Sequence, residues 1–240
     1  MSPPGAGFTV LLLHAFPLDA GMWNEARREL GEELATAAPT LPPEGGGRAL
    51  SGWAAAVLGL VEGDLVPVGV SMGGYLAFEL WRQAPERISA LVLSDTRAGS
   101  ETDEGRVGRE RTIELIRARG AAGLWEEMEP KLLSPAADPE MVERARSVAL
   151  ARDPDDLVAC VEAIRDRPDS RPTLPTIDVP TLVLVGERDE LTPPPEAAAI
   201  ASGIPGAKLV SIPESGHLPP LERPGAFLAS LRALLAEVRA

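Results

Sequence analysis

A doubly wound α/β fold with a mainly parallel sheet of about six strands is what this 240-residue sequence predicts, on three observations. Short, unbroken apolar runs recur without the polar alternation of a half-exposed strand, which is the pattern of strands buried on both faces of a parallel sheet. Helical stretches separate them, and strands alternating with helices build right-handed βαβ units. The rhythm then breaks. From Arg97 to about Thr176 the sequence shows helical segments and no clear strand, which predicts a helical cap inserted after the fourth strand. The expected organisation is a core of residues 1–96 and 177–240 with a cap insertion of residues 97–176, in keeping with roughly 100–200 residues per domain.

The elements follow in order. Phe8–Leu13 is a strand of large aliphatic residues, followed by a helix over Trp23–Glu33 and a second strand at Leu34–Ala37. Pro42-Pro-Glu-Gly-Gly-Gly47 reads as a surface loop before a helix at Leu50–Val61. The third strand, Leu65–Val70, must be central yet carries Pro67, which cannot donate to a ladder. It therefore demands an unpaired donor site or a local irregularity. A helix over Gly73–Gln83 and a strand at Ile88–Leu93 complete the first half. The insertion reads as helices near Thr102–Arg119, Ala122–Glu129, Pro139–Ala151 and Pro154–Arg167, and ends in the turn-rich Arg167–Pro175. Strands at Thr181–Val185 and Lys208–Ile212, with helices at Glu196–Ser202 and Pro224–Val238, close the core.

Composition removes several function classes. A formal charge of −13, from 36 acidic and 23 basic residues, opposes binding to phosphate backbones, and no basic stripe is visible, so nucleic acid is not the expected partner. No apolar run approaches the ~20 residues of a membrane-spanning helix. Met1–Gly7 lacks the basic segment and apolar run of a secretory signal, and a cytoplasmic location with no membrane partner is expected. One cysteine, Cys160, excludes an intramolecular disulfide and a cysteine-based zinc site. With two histidines, a multi-histidine metal site is excluded too, and histidine chemistry must use His14 or His217.

Gly69-Val70-Ser71-Met72-Gly73 matches G-x-S-x-G between a predicted strand and a predicted helix, the context in which that motif holds a nucleophile. A turn of about one residue strains the serine backbone and requires tiny neighbours, which Gly69, Gly73 and Gly74 provide. It lifts the Ser71 hydroxyl clear of the sheet and sets the Met72 N–H, with the helix dipole, where an oxyanion forms. His217, in Glu214-Ser215-Gly216-His217 after the last strand, is the candidate base. Asp189, just past the preceding strand, is the candidate orienting acid, with Glu187, Glu190 and Asp95 as rivals. The order Ser…Asp…His is then Ser71, Asp189, His217. His14-Ala15-Phe16-Pro17 follows the first strand, where Phe16 N–H is the candidate second oxyanion donor; His14 reads as a brace for this loop or as an alternative base.

These residues resemble the α/β-hydrolase superfamily, and among its members small serine esterases and 3-oxoadipate enol-lactonase-like enzymes. The resemblance rests on His14–Asp19 with Met22-Trp23, Gly69–Gly74, Ser94–Arg97, Val183–Asp189 and Ser215–His217, and spans nearly the whole chain. It implies a triad of Ser71, Asp189 and His217, an oxyanion hole of the Phe16 and Met72 amides, and no cofactor or metal. It departs from the family pattern at Ala15, where members usually carry glycine, and in the short stretch before Phe8, so the usual N-terminal hairpin is expected to be missing. Haloalkane dehalogenases and epoxide hydrolases carry aspartate where this chain has Ser71.

The expected activity is hydrolysis of a small to medium acyl or aryl carboxylic ester through an acyl-enzyme on Ser71. Enol-lactone hydrolysis, cofactor-free perhydrolysis and lyase chemistry on the same triad are the alternatives, and a non-catalytic receptor is a different class. The expected partner is a small-molecule ester or lactone; the oligomeric state is not legible. In the cap, Trp125 and Met128 are candidate substrate contacts among residues that usually pack a helix onto a core. Arg97 is a candidate contact for an acidic substrate, or a partner for Asp95 or Glu101.

Overall fold

The structure, a computed structural model, describes residues 7–31 and 34–239. The expected helix end at Glu33 and nearly all of the Met1–Gly7 segment lie outside them. Six strands, β1 (Phe8–Leu13), β2 (Thr36–Ala37), β3 (Asp64–Val70), β4 (Leu91–Ser94), β5 (Thr181–Gly186) and β6 (Lys208–Ile212), form one sheet in the order β2-β1-β3-β4-β5-β6. Every neighbouring pair is parallel. The chain runs from β1 outward to β2, then crosses back to place β3 on the other side of β1. That reversal opens a crevice at the carboxyl ends of β1 and β3, where open α/β sheets bind ligands.

Successive strand residues serve two separate cores, which explains the unbroken apolar runs. Leu11, Leu13, Leu91, Leu93, Val183 and Val185 pack on one face, with α2 (Leu50–Leu60), α3 (Met72–Gln83) and α7 (Pro194–Gly203). Val10, Leu12, Val66, Val68, Val92, Leu182 and Leu184 pack on the other, with α1 (Asn24–Leu30) and the C-terminal helix. At Pro67 the sheet adapts. Leu65 is bridged to Ile88 and Val68 pairs with Val92, so two residues of β3 face three of the segment that leads into β4. Backbone groups of alternate residues face the same neighbour, and Leu65 C=O accepts from Ser89 N, so the position where Pro67 lacks a donor faces this bulge. The same irregularity moves the start of β4 to Leu91, three residues after the expected Ile88.

Between β4 and β5 lie α4 (Asp103–Leu132), α5 (Pro139–Leu150) and α6 (Pro154–Arg165). The two helices expected over Thr102–Arg119 and Ala122–Glu129 join into α4, interrupted where Gly120 adopts φ 63°. Thr102, Asp138 and Asp153 cap the three N-termini with their side chains, and proline follows both aspartates at the first helical position. The short α8 (Pro219–Glu222) and the long α9 (Pro224–Arg239) complete the chain, and no described helix is long and apolar enough to cross a membrane.

Candidate active site

Ser71 stands between β3 and α3 with φ 54° and ψ −113°, a left-handed conformation costing a non-glycine residue on the order of 1–3 kcal/mol. Neighbouring contacts hold it there: Ser71 N donates to Ser94 O at 2.9 Å, and Thr96 Oγ1 donates to Ser71 O at 2.9 Å. The glycines are required by approach, not by torsion. A Cβ on Gly69 would overlap the Gly73 carbonyl, and one on Gly73 would overlap the Leu13 carbonyl of β1. Met72, the first residue of α3, has no preceding helical carbonyl to bond. Neither its N–H nor that of Phe16 enters the backbone hydrogen-bond network among the described residues, which leaves both donors free for a ligand oxygen.

His217 and Asp189 come together although 28 residues separate them. His217 Nδ1 donates to Asp189 Oδ2 at 2.8 Å with both side chains buried. The other oxygen of Asp189 accepts from Leu191 N at 2.8 Å and Thr192 N at 3.0 Å, while Thr192 Oγ1 donates to Oδ2 at 2.5 Å. Burial alone would raise this carboxyl, but the His217 and Thr192 hydrogen bonds hold it well below the usual range, so it is an anion. Asp189 thus serves both as a turn aspartate and as the partner of His217.

Glu222 carries a role that sequence reading missed. From α8 its buried carboxylate accepts from Ser134 N at 2.8 Å, Gly216 N at 3.0 Å and Leu218 N at 3.2 Å, bracketing His217. His217 N itself donates to Leu132 O at 2.9 Å, at the end of α4. The histidine loop is thereby fixed to the insertion, and nothing in the local sequence Pro219-Pro-Leu-Glu222 signals it.

The rivals are placed differently. Glu187 and Glu190 are exposed. Asp95 is buried at the end of β4 with φ 47°; its Oδ1 accepts from Gly186 N at 2.7 Å and its Oδ2 from Ser94 Oγ at 2.5 Å. Burial first, then the charge of Asp189, raise its carboxyl well above the ordinary value, so Asp95 holds its proton. Atoms of Asp95, Asp189 and His217 lie within 4.8 Å of one another, but a protonated acid and a histidine already donating to Asp189 form a poor cation ligand set. His14 is fully buried: Nδ1 donates to Ala15 O at 3.0 Å and Nε2 accepts from Leu41 N at 2.8 Å. Burial, opposed by the Ala15 bond and aided by the Arg152 charge, lowers its pKa to about 3. Both ring nitrogens are occupied, so His14 acts on the loop backbone. Arg152 reinforces the same loops, donating to Leu18 O at 2.5 Å and Leu41 O at 2.6 Å.

Ser71, His217 and Phe16 line one cavity of about 70 Å³, with Tyr75, Arg97, Arg109, Met128, Ile164, Leu191 and Thr192. Met128 and Arg97 therefore meet the site. Trp125 is not among its lining residues; it is buried in the core beside Leu132 and Leu133. Arg97 pairs with neither Asp95 nor Glu101 and donates to Leu191 O. A larger groove of about 810 Å³, lined by Leu18, Met22, Met141 and Val148, contains none of the three triad candidates.

The family model described as Alpha/beta hydrolase family matches residues 10–231. A solved structure of a thermophilic esterase from Thermogutta terrifontis, with malate bound, superposes with a TM-score of 0.90 at 37% identity, covering 98% of this chain and 92% of that one. The enol-lactonase from Burkholderia xenovorans superposes with a TM-score of 0.82 at 25% identity, over 97% of this chain and 92% of the other. In sequence, the pimeloyl-[acyl-carrier protein] methyl ester esterase of Nitrosospira multiformis is 24% identical, over 95% of this chain and 94% of that protein.

Proposed function

Because the chain belongs to the alpha/beta hydrolase family, we propose that it is a serine-dependent carboxylic ester hydrolase, with Ser71 as nucleophile. The observation that carries this reading is the buried His217–Asp189 pair, 2.8 Å apart, whose imidazole lines the same small cavity as a serine held at φ 54°. In this reading His217 Nε2 takes the Ser71 proton as Oγ attacks the ester carbonyl. The new bond carries the carbonyl electron pair onto oxygen, where the Phe16 and Met72 amides receive it. Asp189 holds the imidazole tautomer and stabilises the imidazolium. Collapse expels the alcohol with the proton from His217, and water, activated by the same base, releases the acid.

The insertion would serve as a cap, since α4 and α6 bring Arg109, Met128 and Ile164 to the cavity. A space of about 70 Å³ lies well below the roughly 300–1,000 Å³ of drug-sized sites, which favours short acyl groups and a small-molecule substrate. A lactone is the second reading, supported by the likeness to an enol-lactonase, and it passes through the same acyl-enzyme. The test is hydrolysis of p-nitrophenyl esters from acetate to decanoate by wild type and Ser71→Ala, with fluorophosphonate labelling. Activity on short chains, lost by at least about 10³-fold in Ser71→Ala, supports the reading. Folded wild-type protein that neither turns over an ester nor labels at Ser71 overturns it.

A further inference from the structure

We propose that Arg152 is a positioning residue for the oxyanion hole. Its guanidinium ties the loop that presents the Phe16 N–H to the helical insertion, so this donor reaches its place only with the insertion docked. This rests on the hydrolase reading of Ser71 and adds to it a residue that does not line the catalytic cavity.

Residues 14–18 follow β1 and bring Phe16 into the cavity lining. Few strong bonds hold this loop. The Ala15 carbonyl accepts from Leu18 N at 3.0 Å and from His14 Nδ1 at 3.0 Å. Ala15 N donates to the Met22 sulfur at 3.2 Å, a weak acceptor. Pro17 has no N–H, and that of Phe16 is the one the reaction needs free. Leu18 and Met22 also border the groove of about 810 Å³, so packing does not close the loop in on every side. The remaining anchor is the Leu18 carbonyl, which accepts from Arg152 Nη1 at 2.5 Å. Nη2 of the same guanidinium donates to Leu41 O at 2.6 Å, and Leu41 N donates to His14 Nε2 at 2.8 Å. Arg152, Leu18, Ala15, His14 and Leu41 thus close a ring of hydrogen bonds joining three segments distant in the chain.

Arg152 is built to hold a direction. It sits between α5 and α6, where its N–H donates to Ala149 O at 3.2 Å and Asp153 caps α6, so both helix ends fix its backbone. Its side chain is buried, yet its bonds go to two carbonyls and to Cys160 Sγ at 3.8 Å, and to no carboxylate among the described residues. A cation taken out of water without an anion is costly, and charge-assisted bonds to two carbonyls offset part of that cost. Apolar side chains would seal the seam between insertion and core as well. The planar fork adds what they lack, since it grips Leu18 O and Leu41 O at once and fixes one loop against the other. The insertion holds the histidine loop in a similar way, through His217 N and Leu132 O. Ser71 and Met72 belong to the core, whereas the base and the Phe16 donor are each tied to the insertion. An oxyanion donor acts in the transition state, and a displacement of about 1 Å can cost on the order of 10²-fold in rate.

The experiment measures kcat and KM of Arg152→Met and Arg152→Lys on a short p-nitrophenyl ester, with active sites counted by fluorophosphonate titration. It adds Ki for a short trifluoromethyl ketone, which Ser71 attacks to give a hemiketal whose oxygen sits where the oxyanion forms. Arg152→Met should lower kcat about 10–100-fold with KM within about twofold, and raise Ki by a similar factor. Arg152→Lys keeps the charge but offers one head in place of the fork, so its losses should fall between wild type and Arg152→Met. Folded Arg152→Met with kcat and Ki within about twofold of wild type overturns the proposal, however far its urea midpoint falls. So does a loss confined to KM, or a fall in kcat that Ki does not follow. If Arg152→Met does not fold, Arg152→Lys decides: a matched change of about threefold or more in kcat and Ki supports the proposal, and a smaller one overturns it. If wild type neither turns over an ester nor labels at Ser71, the hydrolase reading fails by itself. Amide hydrogen exchange of the folded variant then decides the role of Arg152. Faster exchange over residues 14–22 with β5 unchanged supports it, and protection equal to wild type overturns it.

Discussion

The ends of β4 and β5 place two aspartates side by side and shift their carboxyl groups in opposite directions. Asp189 accepts from His217, from the Thr192 hydroxyl and from two backbone amides, and remains an anion. Asp95 accepts from one amide and one hydroxyl, lies deeper, faces the Asp189 charge and keeps its proton. Identical side chains within reach of one imidazole are thus separated by donor count and order of burial. A carboxylate with enough donors stays charged, and its neighbour then cannot. The comparison also ranks the acids that sequence left open, making Asp189 the partner of His217.

The largest expected effect tests that ranking. Asp189→Asn should lower kcat by about 10³–10⁴-fold, since an amide no longer fixes the tautomer, whereas Asp95→Asn should change kcat by less than about tenfold. Steady-state kinetics on a short p-nitrophenyl ester decide it, and equal losses would break the comparison. Next comes the loop that delivers the histidine. Glu222→Gln sets an amide NH₂ against backbone donors that now point at a carboxylate, so kcat should fall roughly 10–100-fold with KM little changed, and stability by about 2 kcal/mol. Kinetics and urea unfolding of the same variant read both.

The protonation states make smaller, signed predictions. Native Asp95 binds a proton that the unfolded chain releases above about pH 4, so this residue lowers stability as pH rises from there towards its folded pKa. Asp95→Asn removes the dependence, and its urea midpoint should gain on wild type as pH rises above about 4. His14 works in the opposite sense. Its folded pKa of about 3 lies below the unfolded 6.5, so the unfolded state binds the extra proton. Its contribution is full above about pH 6.5 and falls by about 1.4 kcal/mol per unit as pH drops towards 3. His14→Gln should flatten the wild-type loss of stability between pH 6.5 and 4.5, read by urea titrations at fixed pH.

Much of this was legible in the sequence where the physics is local. The bounds of β1 match the apolar run Phe8–Leu13, because a strand buried on both faces must be apolar throughout; those of β6 match Lys208–Ile212, although this edge strand is largely exposed. The G-x-S-x-G turn was legible for a similar reason, since Gly69 and Gly73 are dictated by backbone overlap within a few residues. The late start of β4 was not, because it depends on Pro67 of the neighbouring strand. In the insertion, Met128 and Trp125 carried equal claims on helical spacing, and packing sends one to the cavity and the other to the core.

By itself, then, the sequence determined the α/β class, the order of strands along the chain, and the strained serine with its small neighbours. These depend on hydrophobic runs, steric overlap and turn chemistry, which act between residues close in the chain. Tertiary structure alone decided which aspartate is charged, that Glu222 clamps the histidine loop from α8, and that Arg109 of the cavity lining shares Glu101 with Arg167. Each of those depends on burial and on partners brought from distant segments, and no local pattern encodes the solvent a charge will lose or the donors it will meet.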